Sequence, residues 1–154
     1  MTASERDCLL CEQVEEAERF GGGPLIGDDL VVAYHLPPSE RYPLQYLGRV
    51  QVVTRRHVDH LSDLTEAETV AAALAARRIT QGLRAMDDVD RVHLALIGQH
   101  HPHFHLHVYP RYAWMPRDAD WNALSMRDDA PRGGAPEIID FICRLRPLVP
   151  LAHP

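Results

Sequence analysis

Three histidines alternate with apolar residues in the segment HFHLHVY, residues His103–Tyr109. Successive side chains of a β-strand point to opposite faces, so three imidazoles in one strand would share a face, with neighbours roughly 6–7 Å apart. The other face, made of Phe104, Leu106 and Val108, would pack on a core. A solvent-facing polar strand is the plain alternative. It does not explain why six of the ten histidines lie between His93 and His107.

Two kinds of chemistry fit such a row. One neutral imidazole can attack an electrophilic centre as a covalent nucleophile. Three imidazoles can instead hold a zinc ion that activates a water molecule. The row could also follow a polyphosphate chain. The residues alone leave these readings open.

A second group with ligand chemistry lies near the N-terminus, where Cys8 and Cys11 form a C-x2-C pair. Two thiolates supply half of a tetrahedral zinc site. Two ordinary thiols are the alternative, and a redox pair is disfavoured because no βαβ pattern surrounds them. The third cysteine, Cys143, lies in an apolar helical pattern and is predicted to be a core residue. An odd cysteine count argues against a disulfide framework.

Composition narrows the class of protein. A chain of 154 residues fits one domain. Its net charge of −6 argues against binding a nucleic acid polymer, yet a local site can still be positive enough for a small anion. No apolar run reaches membrane-spanning length and the N-terminus lacks a signal-peptide pattern. We therefore expect a cytoplasmic protein with no membrane partner.

The positioning elements are predicted from local pattern. Runs rich in β-branched and aromatic residues predict strands at Leu30–His35, Gly48–Thr54, Arg91–Ile97 and His103–Tyr109, the last ended by Pro110. The prolines of Leu36–Leu47 predict a loop. Strand, strand, helix, strand, strand is an order typical of an α+β domain with a mostly antiparallel sheet.

One long helix stands out. Thr65 and Glu68 have the spacing of a capping box, which marks a helix N-terminus. A stripe of apolar residues continues from it at approximately helical spacing, comprising Val70, Leu74, Ile79, Leu83 and Met86. Shorter helices are predicted within Glu12–Phe20 and near Glu137–Leu145.

Taken together these motifs resemble the histidine triad (HIT) superfamily of nucleotide hydrolases and transferases, whose signature is His-x-His-x-His followed by two apolar residues. Further agreement lies in Arg55-Arg56-His57 after the second strand, Leu64-Thr65-x-x-Glu68 at the long helix, and Gly98-Gln99 and Pro110-Arg111 around the triad. The resemblance covers about residues 8–112.

This resemblance implies a HIT-like fold with an antiparallel sheet of about five strands, one long helix and shorter helices. Residues 1–112 would form the HIT-like domain, including the C-x2-C segment, and residues 113–154 a C-terminal extension packing on the same domain. It also implies a homodimer that extends the sheet across a two-fold axis.

The resemblance also implies a mechanism. His105 would attack phosphorus and form a nucleotidyl-histidine intermediate that water then hydrolyses, with no cofactor required for the chemistry. His107 would bind a phosphate oxygen and stabilise or protonate the leaving group, and Gln99 matches a polar position that contacts phosphate. Dinucleoside polyphosphates and nucleoside phosphoramidates are the implied substrates.

Structural zinc is implied as well, because some HIT proteins complete a C-x2-C pair with two histidines. By position these would be His57 and His103, joining Cys8 and Cys11. That assignment gives His103 a role different from the role of His105.

One residue departs from the family pattern. Arg49 stands after Gly48, where well-known branches have histidine, and it either contacts phosphate or is a solvated strand residue. Two other functions therefore stay open beside the covalent hydrolase or transferase. One is a metal-dependent hydrolase with a three-histidine site, and the other is a nucleotide-binding module without turnover.

Overall fold

The computed structural model describes residues 8–17, 19–20 and 22–151. Within these residues the helices are α1 (Leu9–Glu16), α2 (Glu66–Arg84) and α3 (Ala135–Leu145). The strands are β1 (Ile26–Gly27), β2 (Val31–His35), β3 (Gln45–Tyr46), β4 (Val50–Thr54), β5 (Val89–Ala95), β6 (His105–Tyr112) and β7 (Arg132–Gly133). Short 3-10 turns occur at Leu61–Asp63, Trp121–Met126 and Arg146–Leu148.

Five of these strands form one antiparallel sheet in the order β1-β2-β4-β6-β5, and β3 pairs with β7 in a separate ribbon. The predicted α+β class, with a mostly antiparallel sheet of five strands and one long helix, is confirmed. No helix in the described part of the chain is long and apolar enough to cross a membrane.

The two faces of the sheet are covered differently. One face joins α2 and α3 in the main apolar core, to which β4 contributes Val50 and Val52 and β6 contributes Val108. On the opposite face α1 inserts Leu10 and Val14 against the first half of the sheet, which holds Val32, Tyr34 and Val53. The other half of that face carries His105 and His107.

Strand β6 differs from its prediction at both ends. It begins at His105, so His103 lies outside the strand, and it runs through Pro110 to Tyr112. Pairing between β4 and β6 reaches only Val108, so beyond that residue one side of β6 carries no β4 ladder. A proline is tolerated at such an edge because no ladder hydrogen bond is lost there.

Helix α2 starts where its capping box predicts, after Thr65. The predicted stripe is only half right, since Val70 and Leu74 are 57% and 52% exposed while the later members are buried. The first turns instead face the core through alanines, among them Ala72 and Ala75. Small side chains let the helix lie close to the sheet, and this displaces the larger residues to the surface.

The remaining differences concern small elements. The two-residue strands β1, β3 and β7 were not predicted, because two residues show no alternation. The first helix lies at Leu9–Glu16 and not within Glu12–Phe20. Cys143 is exposed, since α3 buries the neighbouring residues Phe141 and Ile142.

Glu68 ties the long helix to the end of β4. Its carboxylate accepts hydrogen bonds from Arg56 Nε (2.9 Å) and Nη2 (2.7 Å) and from Thr65 N (2.8 Å) and Oγ1 (2.9 Å). The hydrogen bonds from Arg56, followed by those from Thr65, lower the pKa of Glu68 to about 2 despite its burial.

Glu68→Ala should lower the free energy of unfolding by roughly 1.5–3 kcal/mol, the range for hydrogen bonds to a buried charged group. A depressed folded-state pKa means that the stabilisation is complete above the ordinary value near 4.5 and is lost as pH falls toward 2. Urea unfolding should therefore show the difference between wild type and variant shrinking in acid. Glu66→Ala, in the same helical turn but exposed, is the control, and an equal loss in both variants would contradict the assignment.

Candidate active site and metal cluster

His105, the first residue of β6, has its tautomer fixed by the main chain. Its Nδ1 lies 2.8 Å from the backbone oxygen of His103. A carbonyl only accepts, so Nδ1–H donates and Nε2 keeps its lone pair. Burial lowers the pKa of His105, and the charges of His101 and Arg49 lower it further. A neutral imidazole with a free Nε2 is the form that acts as a nucleophile.

His107 follows on the same face of β6. Its ring meets that of His105 edge to face, with centroids 4.9 Å apart and planes at 89°. Burial, followed by the charge of Arg49, lowers the pKa of His107 to about 3. The Gln51 amide nitrogen lies 3.5 Å from His107 Nδ1, a long contact that favours the proton on Nε2. His107 is thus a neutral hydrogen-bond donor beside the neutral imidazole of His105.

Gln51 belongs to this group but was missed from the sequence. It is buried on β4 directly opposite His107, and its Oε1 has no hydrogen-bond partner in the described part of the chain. A signal was available, because a single glutamine interrupts the apolar strand VQVVT. Alternation within that strand places Arg49, Gln51 and Val53 on one face.

Gln99, expected to contact phosphate, lies in an exposed bend between β5 and β6. The structure does not bring it into hydrogen-bonding contact with either histidine among the residues it describes. The neighbouring His101 comes nearer, with its ring centroid 6.3 Å from that of His105. Gln99 therefore stays a prediction.

Cys8, Cys11, His57 and His103 do come together, with one ligand atom of each lying within 4.8 Å of all the others. Cys11 Sγ is 3.4 Å from Nδ1 of both His57 and His103, and Cys8 Sγ is 3.5 Å from Nδ1 of His103. Zinc bonds of 2.0–2.3 Å in a tetrahedron separate ligand atoms by roughly 3.3–3.8 Å. The donor set and spacing are compatible with structural zinc.

His103 connects this cluster to the sheet face that carries His105 and His107. Its Nε2–H donates to the Thr54 carbonyl at 2.8 Å, which leaves the Nδ1 lone pair facing the two thiols. Its own carbonyl accepts from His105. The expectation of three imidazoles in one row is therefore wrong. His103 precedes the strand, is fully buried and points into the cysteine cluster.

The fold of the chain is similar to those of several solved structures. The chain resembles a Zn-bound histidine triad family protein from Mycobacterium smegmatis (22% identity, 94% of each chain covered, TM-score 0.64). It also resembles histidine triad proteins from Sinorhizobium meliloti (18%, 87% of this chain and 93% of that one, TM-score 0.60) and Bradyrhizobium japonicum (22%, 82% and 89%, TM-score 0.58). No curated protein sequence matches the chain.

The HIT domain family matches residues 41–114, which include β4, α2, β5 and β6. Residues 41–114 are therefore a domain of the histidine triad superfamily, and the fold of the chain is that of histidine triad proteins. This match supports a nucleotide hydrolase or transferase type of function in broad terms.

We expect the purified protein to contain one zinc ion per chain, and Cys11→Ser to lose it. Loss of the ion should lower the melting temperature, by about 2–4 °C for each kcal/mol in a chain of this size. Metal analysis and thermal melts with and without chelator provide the measurement. The exposed Cys143→Ser is the matched control. Equal zinc content in wild type and Cys11→Ser would contradict the cluster's role.

Proposed function

We propose that this chain is a nucleotide hydrolase or transferase that cleaves a phosphoanhydride or phosphoramidate bond through a nucleotidyl-His105 intermediate. The observation that carries the proposal is the 2.8 Å hydrogen bond from His105 Nδ1–H to the His103 carbonyl. It leaves a neutral, unprotonated Nε2 on the sheet face where His107 can donate a hydrogen bond.

The first step forms a bond between His105 Nε2 and phosphorus and breaks the bond from phosphorus to the leaving group. Nδ1–H keeps its hydrogen bond to the His103 carbonyl, whose partial negative charge offsets the positive charge that develops on the ring. His107 Nε2–H donates a hydrogen bond to an anionic phosphate oxygen and so stabilises the charge that develops there. Water then attacks phosphorus, releasing a nucleoside monophosphate and restoring His105. We assign Gln99 a contact to phosphate oxygens from the exposed bend.

The substrate classes we propose are dinucleoside polyphosphates and nucleoside phosphoramidates. A small anion suits an acidic protein, with net charge −6, whose histidine site lies beside one cation, Arg49. A nucleic acid polymer would need an extended basic surface.

Zinc, in our proposal, is structural and takes no part in the chemistry. A three-histidine catalytic ion would require His103 to converge with His105 and His107. Both ring nitrogens of His103 are directed elsewhere, to Thr54 O and to the thiols. The similarity to a protein described as Zn-bound supports the cysteine cluster as the metal site. A reduced Cys2His2 site suits the cytoplasm, where thiols remain unoxidised.

We retain residues 1–112 as the catalytic domain and residues 113–154 as an extension packing on it. In support, α3 of the extension buries Ile138, Phe141, Ile142 and Leu145 in the main core.

A homodimer through the β5 edge is also proposed. Strand β5 ends the sheet, and Leu94, Leu96 and Ile97 on or just after it are 45–56% exposed. Beside them α2 lines a groove that also includes Leu94 and Leu106. Val70 and Leu74 are exposed on the same helix. A second copy that pairs β5 with β5 would satisfy the strand edge and cover this apolar surface.

His105→Gly should reduce turnover by roughly 10³-fold or more, since it removes the nucleophile itself. The assay uses diadenosine tetraphosphate and adenosine phosphoramidate, with mass spectrometry of a single turnover to locate a nucleotidyl-histidine. His60→Ala, an exposed histidine, is the control.

Wild-type activity in His105→Gly, with an unchanged circular dichroism spectrum, would remove His105 as the nucleophile. Nucleotide binding by the wild type without turnover of either substrate would favour the binding module. Activity that depends on added metal and yields no adduct would favour the metal-dependent hydrolase.

Leu94→Arg should convert the dimer to a monomer, because it places a charge in the apolar contact beside the unpaired edge. Light scattering after size exclusion measures the mass. Leu61→Arg, at an equally exposed leucine remote from β5, should leave the mass unchanged. A monomeric wild type would overturn this part of the proposal.

A further inference from the structure

The backbone of Arg49 is held in a fixed position near His105 and His107. Gly48, at φ +86°, turns the chain into β4, and any Cβ there would lie 2.7 Å from the ring of Pro110. Arg49 N–H donates to Tyr46 O, and Leu36 N–H donates to Arg49 O at 2.8 Å. The backbone of Arg49 is therefore fixed on both sides.

Strand register then sets the direction of its side chain. Gln51 lies opposite His107, so Arg49, two residues earlier, falls beside Tyr109 on the same face. Arg49 therefore shares the sheet face that carries His105 and His107.

Arg49 is half-buried and has no acidic partner among the described residues. Its Nε is buried and makes no hydrogen bond within residues that the structure describes, and no described carboxylate forms an ion pair with it. Other arginines do have acidic partners, in the pairs Arg56–Glu68, Arg111–Asp90, Arg127–Asp129 and Arg144–Asp140. Burial of a charge without a counter-ion is costly.

The titratable groups around Arg49 are the Tyr109 phenol and the imidazoles of His35, His105 and His107. None of these groups is a carboxylate that could offset the guanidinium. An anion bound between Arg49 and the histidines would supply the missing negative charge.

We infer that Arg49 binds the phosphate group of the substrate, pairing its guanidinium with anionic oxygens beside His107 as a fixed cation. This inference rests on the proposed function and names the residue that recognises substrate charge. A planar guanidinium matches phosphate oxygens in a two-point contact that a lysine ammonium does not reproduce.

The test compares adenosine 5′-monophosphate with adenosine by calorimetry. Arg49→Met should weaken monophosphate binding by about 10- to 100-fold, as expected for one charge-assisted contact, and leave adenosine binding unchanged. The affinity of Arg49→Lys for the monophosphate should lie between those of Arg49→Met and the wild type. Arg91→Met, an exposed arginine on β5 opposite Arg111, should bind as the wild type does.

Thermal melts in inorganic phosphate give a second measurement that needs no nucleoside recognition. Phosphate should raise the melting temperature of the wild type and of Arg91→Met but not of Arg49→Met. Without phosphate, Arg49→Met should melt at or above the wild-type temperature, because an uncompensated charge has been removed. If Arg49→Met does not fold, both measurements are made on Arg49→Lys. Monophosphate binding by Arg49→Lys equal to that of the wild type would then overturn the inference.

The outcomes separate the two proposals. Tight binding of the monophosphate by both wild type and Arg49→Met overturns the role of Arg49 alone. A phosphate effect that depends on Arg49, without nucleotide binding or turnover, overturns the proposed function and leaves the anion site standing. A melting temperature several degrees lower in Arg49→Met, with unchanged phosphate response, identifies a structural arginine and overturns the inference.

Discussion

The hydrogen bond between His105 Nδ1–H and the His103 carbonyl is the contact on which the rest of the site depends. It decides which nitrogen of His105 keeps a lone pair. The carbonyl can do this only if the peptide of His103 is held in place. That support comes from the His103 ring, which donates to Thr54 at the end of β4 and faces Cys8 and Cys11. The cluster of Cys8, Cys11, His57 and His103 and the imidazole of His105 are therefore connected through the backbone and side chain of one residue, His103.

The two halves of this sheet face differ because α1 covers only one of them. Helix α1 packs its apolar side on Val32 and Val53, and the same helix and its N-cap carry the two cysteines. Next to it the register of β4 and β6 sets Gln51 opposite His107. Two strands thus supply a polar patch to a face that is otherwise apolar. The other face is committed to α2 and α3, which give the patch a rigid support.

Local sequence patterns predicted helices and strands well where no tertiary contact opposed them. The capping box at Thr65 and Glu68 fixed the start of α2, and alternation put His105 and His107 on one face. Prediction failed where tertiary contacts compete with a local pattern. His103 continues the alternation, but its ring is drawn toward thiols almost a hundred residues away in sequence, and the chain enters β6 only afterwards. Pro110 stays within β6 because β4 has already ended, which no local pattern reveals.

Gln51 shows another limit of the sequence. Its type and strand were visible, but its importance depends on which strand pairs with β6 and in what register. Arg49 presents the same difficulty, because a charged residue at a strand end is usually solvated. Only the absence of a carboxylate near its guanidinium, within the described chain, makes it unusual.

The acceptor that selects the tautomer of His105 is a main-chain atom. Every residue type carries that carbonyl, so no substitution at position 103 can delete it, and only a displacement of the backbone can. Chain geometry, and not side-chain chemistry, thus decides which nitrogen of His105 keeps its lone pair. Substitutions around the site can change affinity and selectivity, while the nitrogen that attacks in our proposal stays the same.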